Sequence, residues 1–450
     1  MNLQELKSKL SQLTQKNLFQ DTSWMLIARL INVVVQAAYF IIVARALGAE
    51  NYGSFVGVTS LASLLFPFIA LGTDSVLVKE VSVNRQAFAT HWGNTLLILG
   101  CNSALFVTVL LLISRWIFPD NISMLTISAL LLADLLFLGL LEATNKVFRA
   151  VDLVKKTAQL VVLSTGAKLL AALGLIFLFK PADDSGHFSV TTWSILYFVS
   201  SVAIAILAAG TVTKLVGMPR LDLKRIKSDI NQGIYFSIGM SASNINNNID
   251  KTMLASIATL EATGIYGSAY RFINIGNVPL NALSAACYAR FFQEGARGIR
   301  NCFKFAKRLL PMILAYCIIS ILGYQILAPV IPKVLGAEYA NAVETLRWLA
   351  PIPAITCLQW LAADTLTGSG HQKIRSLVQV AAAILNIILN LWLIPIYGLY
   401  GAIWATLTSD TFRLVILWLI LFFLHDMAEQ KAIENSEQDL EQSLEQDNQG

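Results

Sequence analysis

Charge is what this sequence has least of. Of its 450 residues 56% are hydrophobic and only 14% are charged, where soluble domains carry roughly 25%. The mean hydropathy is +0.63. A soluble fold cannot hide so much apolar surface behind so few charges, and a disordered chain would be polar and charged. Histidine is nearly absent, with four residues, and the five cysteines form no CxxC pair. A zinc ribbon and a disulfide scaffold are thereby excluded. No Walker A loop, HExxH or GxSxG motif occurs, and no loop is long enough for an extramembrane catalytic domain. The adjacent acids Asp183 and Asp184 read as a solvated turn and not as a metal site, so neither a metal nor any other cofactor is expected.

What is abundant is apolar runs of membrane-spanning length. About 20 apolar residues cross the hydrocarbon core as a helix, and twelve such stretches lie near 22–44, 54–72, 93–114, 122–143, 157–179, 190–210, 233–257, 264–288, 309–331, 346–367, 374–394 and 397–424. None alternates in the manner of barrel strands. The fold class expected is an all-α polytopic membrane protein. Lys and Arg concentrate in alternate loops, and only Arg45, Arg115, Lys180, Lys333 and Arg347 fall in the opposite set. This bias places both termini in the cytoplasm. Five segments follow: an amphipathic cytoplasmic helix over 1–21, a six-helix bundle over 22–210, a basic cytoplasmic linker over 211–232, a second bundle over 233–424, and an acidic, disordered tail over 425–450. The segment Tyr52-Gly53-Ser54 after the first span recurs as Tyr266-Gly267-Ser268. Six spans per half give the two halves parallel topology.

Charge within the spans is the clearest pointer to function, because an ionisable side chain there is costly unless it faces a cavity or a partner. Arg29, Lys168, Lys251 and Arg271 are candidate substrate-binding cations. The polar seventh span offers Asn244, Asn247, Asn248 and Asp250 as a cavity lining or gate. Asp134, Asp364, Asp410 and Arg413 are candidates for ion coupling or for ion pairs; Asp410 and Arg413, three apart on one face, can neutralise each other. Arg presents a planar fork of donors suited to phosphate oxygens, so this balance points to an anionic head group.

Several segments are similar to the polysaccharide transporter (Wzx-type) branch of the MOP flippase superfamily. They are Leu47 to Gly53, Leu71-Gly72-Thr73-Asp74 through Glu80, Ile249 to Leu254, Gly264-Ile265-Tyr266 with Ala269-Tyr270-Arg271, Leu335 to Tyr339, Leu346 to Ala350, and Asn386 to Asn390 through Pro395 and Gly398. That resemblance implies two six-helix bundles around a central cavity open to each leaflet in turn. It also implies a polyprenyl-pyrophosphate-linked oligosaccharide as substrate, moved to the outer leaflet of a bacterial inner membrane for polysaccharide biosynthesis. Arg29 and Arg271 are the positions it favours for holding the pyrophosphate, with Lys168 and Lys251 second. Membrane lipids, a polysaccharide polymerase and assembly proteins are the implied partners, and nucleic acid is not. The rival readings are a cation-coupled multidrug exporter of the MATE type, a membrane glycosyltransferase or polymerase, and a non-transporting scaffold of an assembly complex.

Overall fold

The fold is seen in a computed structural model of the chain, which describes the backbone of residues 3–182 and 186–447 and the side chains of these except 3–30, 154, 239 and 431–450. The expected amphipathic face of 1–21 and the Asp183–Asp184 turn therefore lie outside the described residues.

Among the described residues every regular element is helical. The helices are α1 (Leu3–Ile69), α2 (Thr73–Val83), α3 (Phe88–Ile117), α4 (Met124–Leu131), α5 (Leu138–Ala150), α6 (Val154–Leu178), α7 (Val190–Leu215), α8 (Leu223–Ile257), α9 (Leu260–Gly295), α10 (Ile299–Leu327), α11 (Ile331–Leu335), α12 (Asn341–Leu349), α13 (Ile352–Gly368), α14 (Gln372–Tyr397) and α15 (Leu399–Asp447). All twelve expected stretches fall on helical segments, with 122–143 running through α4, a π-helical turn and α5, and 346–367 crossing from α12 into α13. By length and composition, eight helices among the described residues are apolar and long enough to cross a membrane. The difference has three sources. The first two stretches run on as one helix broken at Gly48, with φ 71°. The helices α8 and α9 are diluted by polar residues, and α13 has 17 residues. At the C-terminus, α15 continues as helix to Asp447 where a disordered tail was expected. Ala, Glu, Gln, Leu and Lys dominate that segment, and all are good helix formers.

Helix starts follow the local chemistry. Ser123 and Ser189 accept from Thr126 N (3.1 Å) and Thr191 N (3.2 Å), and Asp222 accepts from Lys224 N (3.1 Å). These caps satisfy N–H groups that a helix N-terminus leaves unpaired.

The chain divides into two compact units, one of residues 1–264 with 334–338 and one of 265–333 with 339–450. The expected basic linker is itself largely helical, since α8 begins at Leu223, and α8 belongs to the first unit.

Within the first unit two backbones pack with no side chain between them. A Cβ on Gly53 would lie 1.7 Å from the carbonyl oxygen of Leu260, and one on Gly264 would lie 1.9 Å from that of Ala49. Gly53 stands in the sequence repeat and Gly264 lies two residues before its second copy, so the crossing sits beside the repeat. At the Gly48 break, Glu338 Oε2 accepts from Ala49 N at 3.0 Å and caps the second half of α1. His187 Nε2 lies 3.3 Å from Glu338 Oε1.

The second unit is built on α10, α13, α14 and α15. Its core joins Phe291, Phe305, Ile313, Cys357 and Leu361 to a neighbouring cluster around Phe303, Leu366 and Leu417. Asn386 and Asn390 are fully buried. Asn386 Nδ2 donates to Ser409 Oγ at 2.9 Å, and Asn390 Nδ2 donates to Asn386 Oδ1 at 3.1 Å. The first bond ties α14 to α15, and the second orients Asn386 from within α14.

Candidate functional site

The first unit places a carboxylate, a phenol and an ammonium in a row. Asp134 is 8% exposed and sits in a π-helical turn, Leu132–Phe137, between α4 and α5. Tyr197 of α7 donates its hydroxyl to Asp134 Oδ1 at 2.7 Å. Lys168 of α6 donates from Nζ to the Tyr197 oxygen at 2.9 Å and lies 4.5 Å from the ring centre. Phe55 and Trp193 pack on Tyr197 at 5.4 Å and 5.9 Å between ring centres. The aromatic wall lowers the local dielectric, which strengthens every charge interaction inside it. A π-turn in an α-helix is uncommon and recurs at functional sites; here it holds the Asp134 backbone where the carboxylate meets Tyr197. One turn before Lys168, Thr165 Oγ1 donates to Asn32 Oδ1 of α1 at 2.6 Å. Arg29 lies three residues before Asn32, and its side chain lies outside the described residues.

The polar seventh stretch forms part of α8 and packs on α1. Asn244 Nδ2 donates to the carbonyl of Ser63 at 3.1 Å, and Asn248 Nδ2 donates to Asn244 O at 3.2 Å. Asp250 is fully buried and accepts from Lys251 N at 2.8 Å. Lys251 is buried, donates to Asn247 O and lies 3.8 Å from Asp250 Oδ1. Asn247 is exposed. The carboxylate and ammonium thus neutralise each other inside the protein.

In the second unit the acids read as coupling groups or ion-pair partners stand beside arginines. Asp364 accepts from Trp360 Nε1 at 2.5 Å and from Arg375 at 3.1 Å. Asp410 and Arg413 form the expected i,i+3 pair at 3.1 Å. Gln359 ties the pair together, donating to the Asp410 carbonyl at 2.6 Å and accepting from Arg413. Arg271 is exposed on α9, beside Tyr270, whose ring stands 5.1 Å from that of Tyr266. The residues named from sequence therefore divide between the units: Asp134 and Lys168 meet through Tyr197, Asp250 meets Lys251, and Asp410 meets Arg413.

Two polar groups of the first unit were missed by reading the sequence. Lys146 Nζ lies 2.6 Å from Asp74 Oδ2 and 3.0 Å from Ser75 Oγ. With Glu142 and Phe236 they line a cavity of about 120 Å³. Asp74 lies 72 residues before Lys146, so no spacing along the chain announces the pair. His91 Nδ1 lies 3.4 Å from Asp229 Oδ1, and Asn94 Nδ2 donates to Asp229 Oδ2 at 3.1 Å, all three buried. His425, Asp426 and Glu429 stand close enough to share a metal ion. Asp426 and Glu429 are exposed, and Glu429 lies 4.0 Å from Arg300.

A multi-pass helical membrane protein with buried ion pairs in each unit is the class these features define. The family described as polysaccharide biosynthesis protein matches residues 18–293, and the chain belongs to that family. Over 436 residues it is 23% identical to the uncharacterized membrane protein MJ1375 of Methanocaldococcus jannaschii, covering 90% of this chain and 98% of that one. Its fold is similar to an inward-facing multidrug resistance MATE family transporter of the MOP superfamily, with a TM-score of 0.71, 13% identity, and coverage of 90% and 99%. It is also similar to the lipid II flippase MurJ in an inward closed conformation, with a TM-score of 0.73, 12% identity, and coverage of 88% and 87%. The fold is thus that of MOP-superfamily transporters.

Proposed function

We propose that the chain is a flippase that moves a polyprenyl-pyrophosphate-linked oligosaccharide from the cytoplasmic to the outer leaflet of a bacterial inner membrane by alternating access. The observation that carries this reading is the family match over more than half of the chain, on a fold shared with transporters. The physics supports it. Sugar hydroxyls and a pyrophosphate cannot enter hydrocarbon without replacement partners for the water they lose. A protein with charged groups inside its spans supplies such partners for the head group while the polyprenyl tail stays in lipid. Among those groups, Arg29 and Arg271 are the cations we propose for the pyrophosphate, with Lys168 second. Lys251 is the weaker choice, since Asp250 already neutralises it. No cofactor is needed for such a cycle, and a polysaccharide polymerase is a fitting downstream partner.

The test is flipping in proteoliposomes of a fluorescent polyprenyl-pyrophosphate oligosaccharide. Protein-dependent movement is expected for the wild type and its loss for Arg271→Ala and Lys168→Ala, each checked for folding by size exclusion. If the lipid stays put while an organic cation is pumped on a proton or sodium gradient, the protein is an exporter and the reading fails. Incorporation of a labelled sugar donor into polymer would instead make it an enzyme.

A further inference from the structure

The segment that joins α7 to α8 carries a pattern that the proposed transport does not use. Met218, Leu221 and Leu223 are 73%, 63% and 71% exposed. Between and beside them stand Lys214, Arg220, Lys224, Arg225 and Lys227, all exposed. The acids nearby are committed to the protein. Asp222 caps α8 through Lys224 N and lies 3.7 Å from Arg225, and Asp229 is buried against His91 and Asn94. The outward charge of the segment is therefore positive.

It is also held in place. Arg220 N donates to the carbonyl of Ala89 at 2.8 Å, and Asp222 N donates to Asn94 Oδ1 at 3.1 Å. A Cβ on Gly93 would lie 2.2 Å from the carbonyl oxygen of Arg220. The segment is thus strapped to α3 with its apolar side chains turned outward. A loop fixed that way and bathed in water would waste three large apolar side chains. At the end of the membrane-spanning α7, on the side of the cation-rich loops, the same arrangement suits the headgroup level of a bilayer. Apolar side chains reach the acyl boundary there while Lys and Arg extend to lipid phosphates.

We infer that residues 214–227 form a docking surface for anionic phospholipid headgroups, in which Arg220, Lys224, Arg225 and Lys227 bind the phosphodiester and Met218, Leu221 and Leu223 rest on the acyl chains. Clusters of four to eight cations next to a spanning helix recognise anionic lipid by this chemistry, each contributing about 1 kcal/mol, or about fivefold in affinity. The inference does not depend on what the protein transports.

The test counts lipids bound to the purified full chain by native mass spectrometry, titrating phosphatidylglycerol against phosphatidylcholine. Retention of phosphatidylglycerol over phosphatidylcholine is expected, weakened about tenfold or more in the triple variant Lys224→Gln, Arg225→Gln, Lys227→Gln. A control triple variant, Arg297→Gln, Lys304→Gln, Arg308→Gln, removes equal charge from the α10 end and should keep the preference. Equal loss in both triples would reduce the effect to bulk charge and overturn the assignment, as would no loss in the first. Displacement of the lipid by inorganic phosphate at equal concentration would assign the surface to a soluble phosphate and overturn it too. Melting midpoints of both variants, expected to match the wild type, separate lost binding from lost folding.

Discussion

Replacing Gly53 by alanine tests the backbone crossing between Gly53 and Gly264. The added Cβ would lie 1.7 Å from the Leu260 carbonyl oxygen, 2.6 Å from its carbon and 2.9 Å from Gly264 N. All three neighbours are backbone, so no side chain can rotate aside. Ordinary contact requires the helices to separate by more than 1 Å, and every side chain packed across that crossing loses part of its dispersion attraction. Overpacking of this kind costs about 1–3 kcal/mol. At roughly 2–4 °C per kcal/mol for a unit of this size, the melting midpoint should fall by several degrees. The control is Gly166→Ala in α6, where a new Cβ meets nothing within 4 Å. In a helix interior alanine is favoured over glycine by about 0.5–1 kcal/mol, so the control should hold or raise the midpoint. The measurement is thermal unfolding in detergent at one fixed scan rate, because membrane proteins unfold irreversibly and the midpoint depends on rate. A Gly53→Ala variant that melts with the wild type would show that the two backbones do not meet.

Three further outcomes follow from the buried polar groups. Tyr197→Phe removes the hydroxyl between Lys168 and Asp134; leaving buried groups without this bond should cost about 1–3 kcal/mol, read as a lower midpoint together with slower lipid flipping. Arg413→Met leaves Asp410 buried without its cation and should destabilise by about 3–5 kcal/mol, whereas Arg413→Met with Asp410→Leu should recover much of that loss, since a buried pair can be replaced by apolar residues; a double variant no better than the single one would refute the pairing. Asn94→Ala should loosen the strap on residues 220–222 and expose it to protease in detergent, and unchanged cleavage would argue that the Ala89 and Gly93 contacts hold the segment alone.

The sequence by itself determined the helices and their class. In lipid a backbone has no water to pair with, so an apolar run of sufficient length has little choice but to be a helix. That constraint is local, and it can be read residue by residue. The i,i+3 pair Asp410–Arg413 was legible for the same reason, because its partners lie close along the chain. Gly53 too was visible as part of a repeated pattern, though not as a crossing point.

Tertiary structure alone decided which distant groups meet. Asp134 and Lys168 are joined by Tyr197 from a third helix, and nothing in their spacing announces it. Asp364 was a candidate for ion coupling or an ion pair, and only the packing of the next helix brings Arg375 beside it. Lys146 and Asp229 likewise meet Asp74 and His91 only through the packing of separate helices. Glu338 stands far along the chain from the Gly48 break whose following helix it caps, and Gly53 and Gly264 have no room for a side chain only because two backbones cross there. A buried charge must find a partner, but its free energy depends on distances of a few ångströms. Those distances are set by how the helices pack.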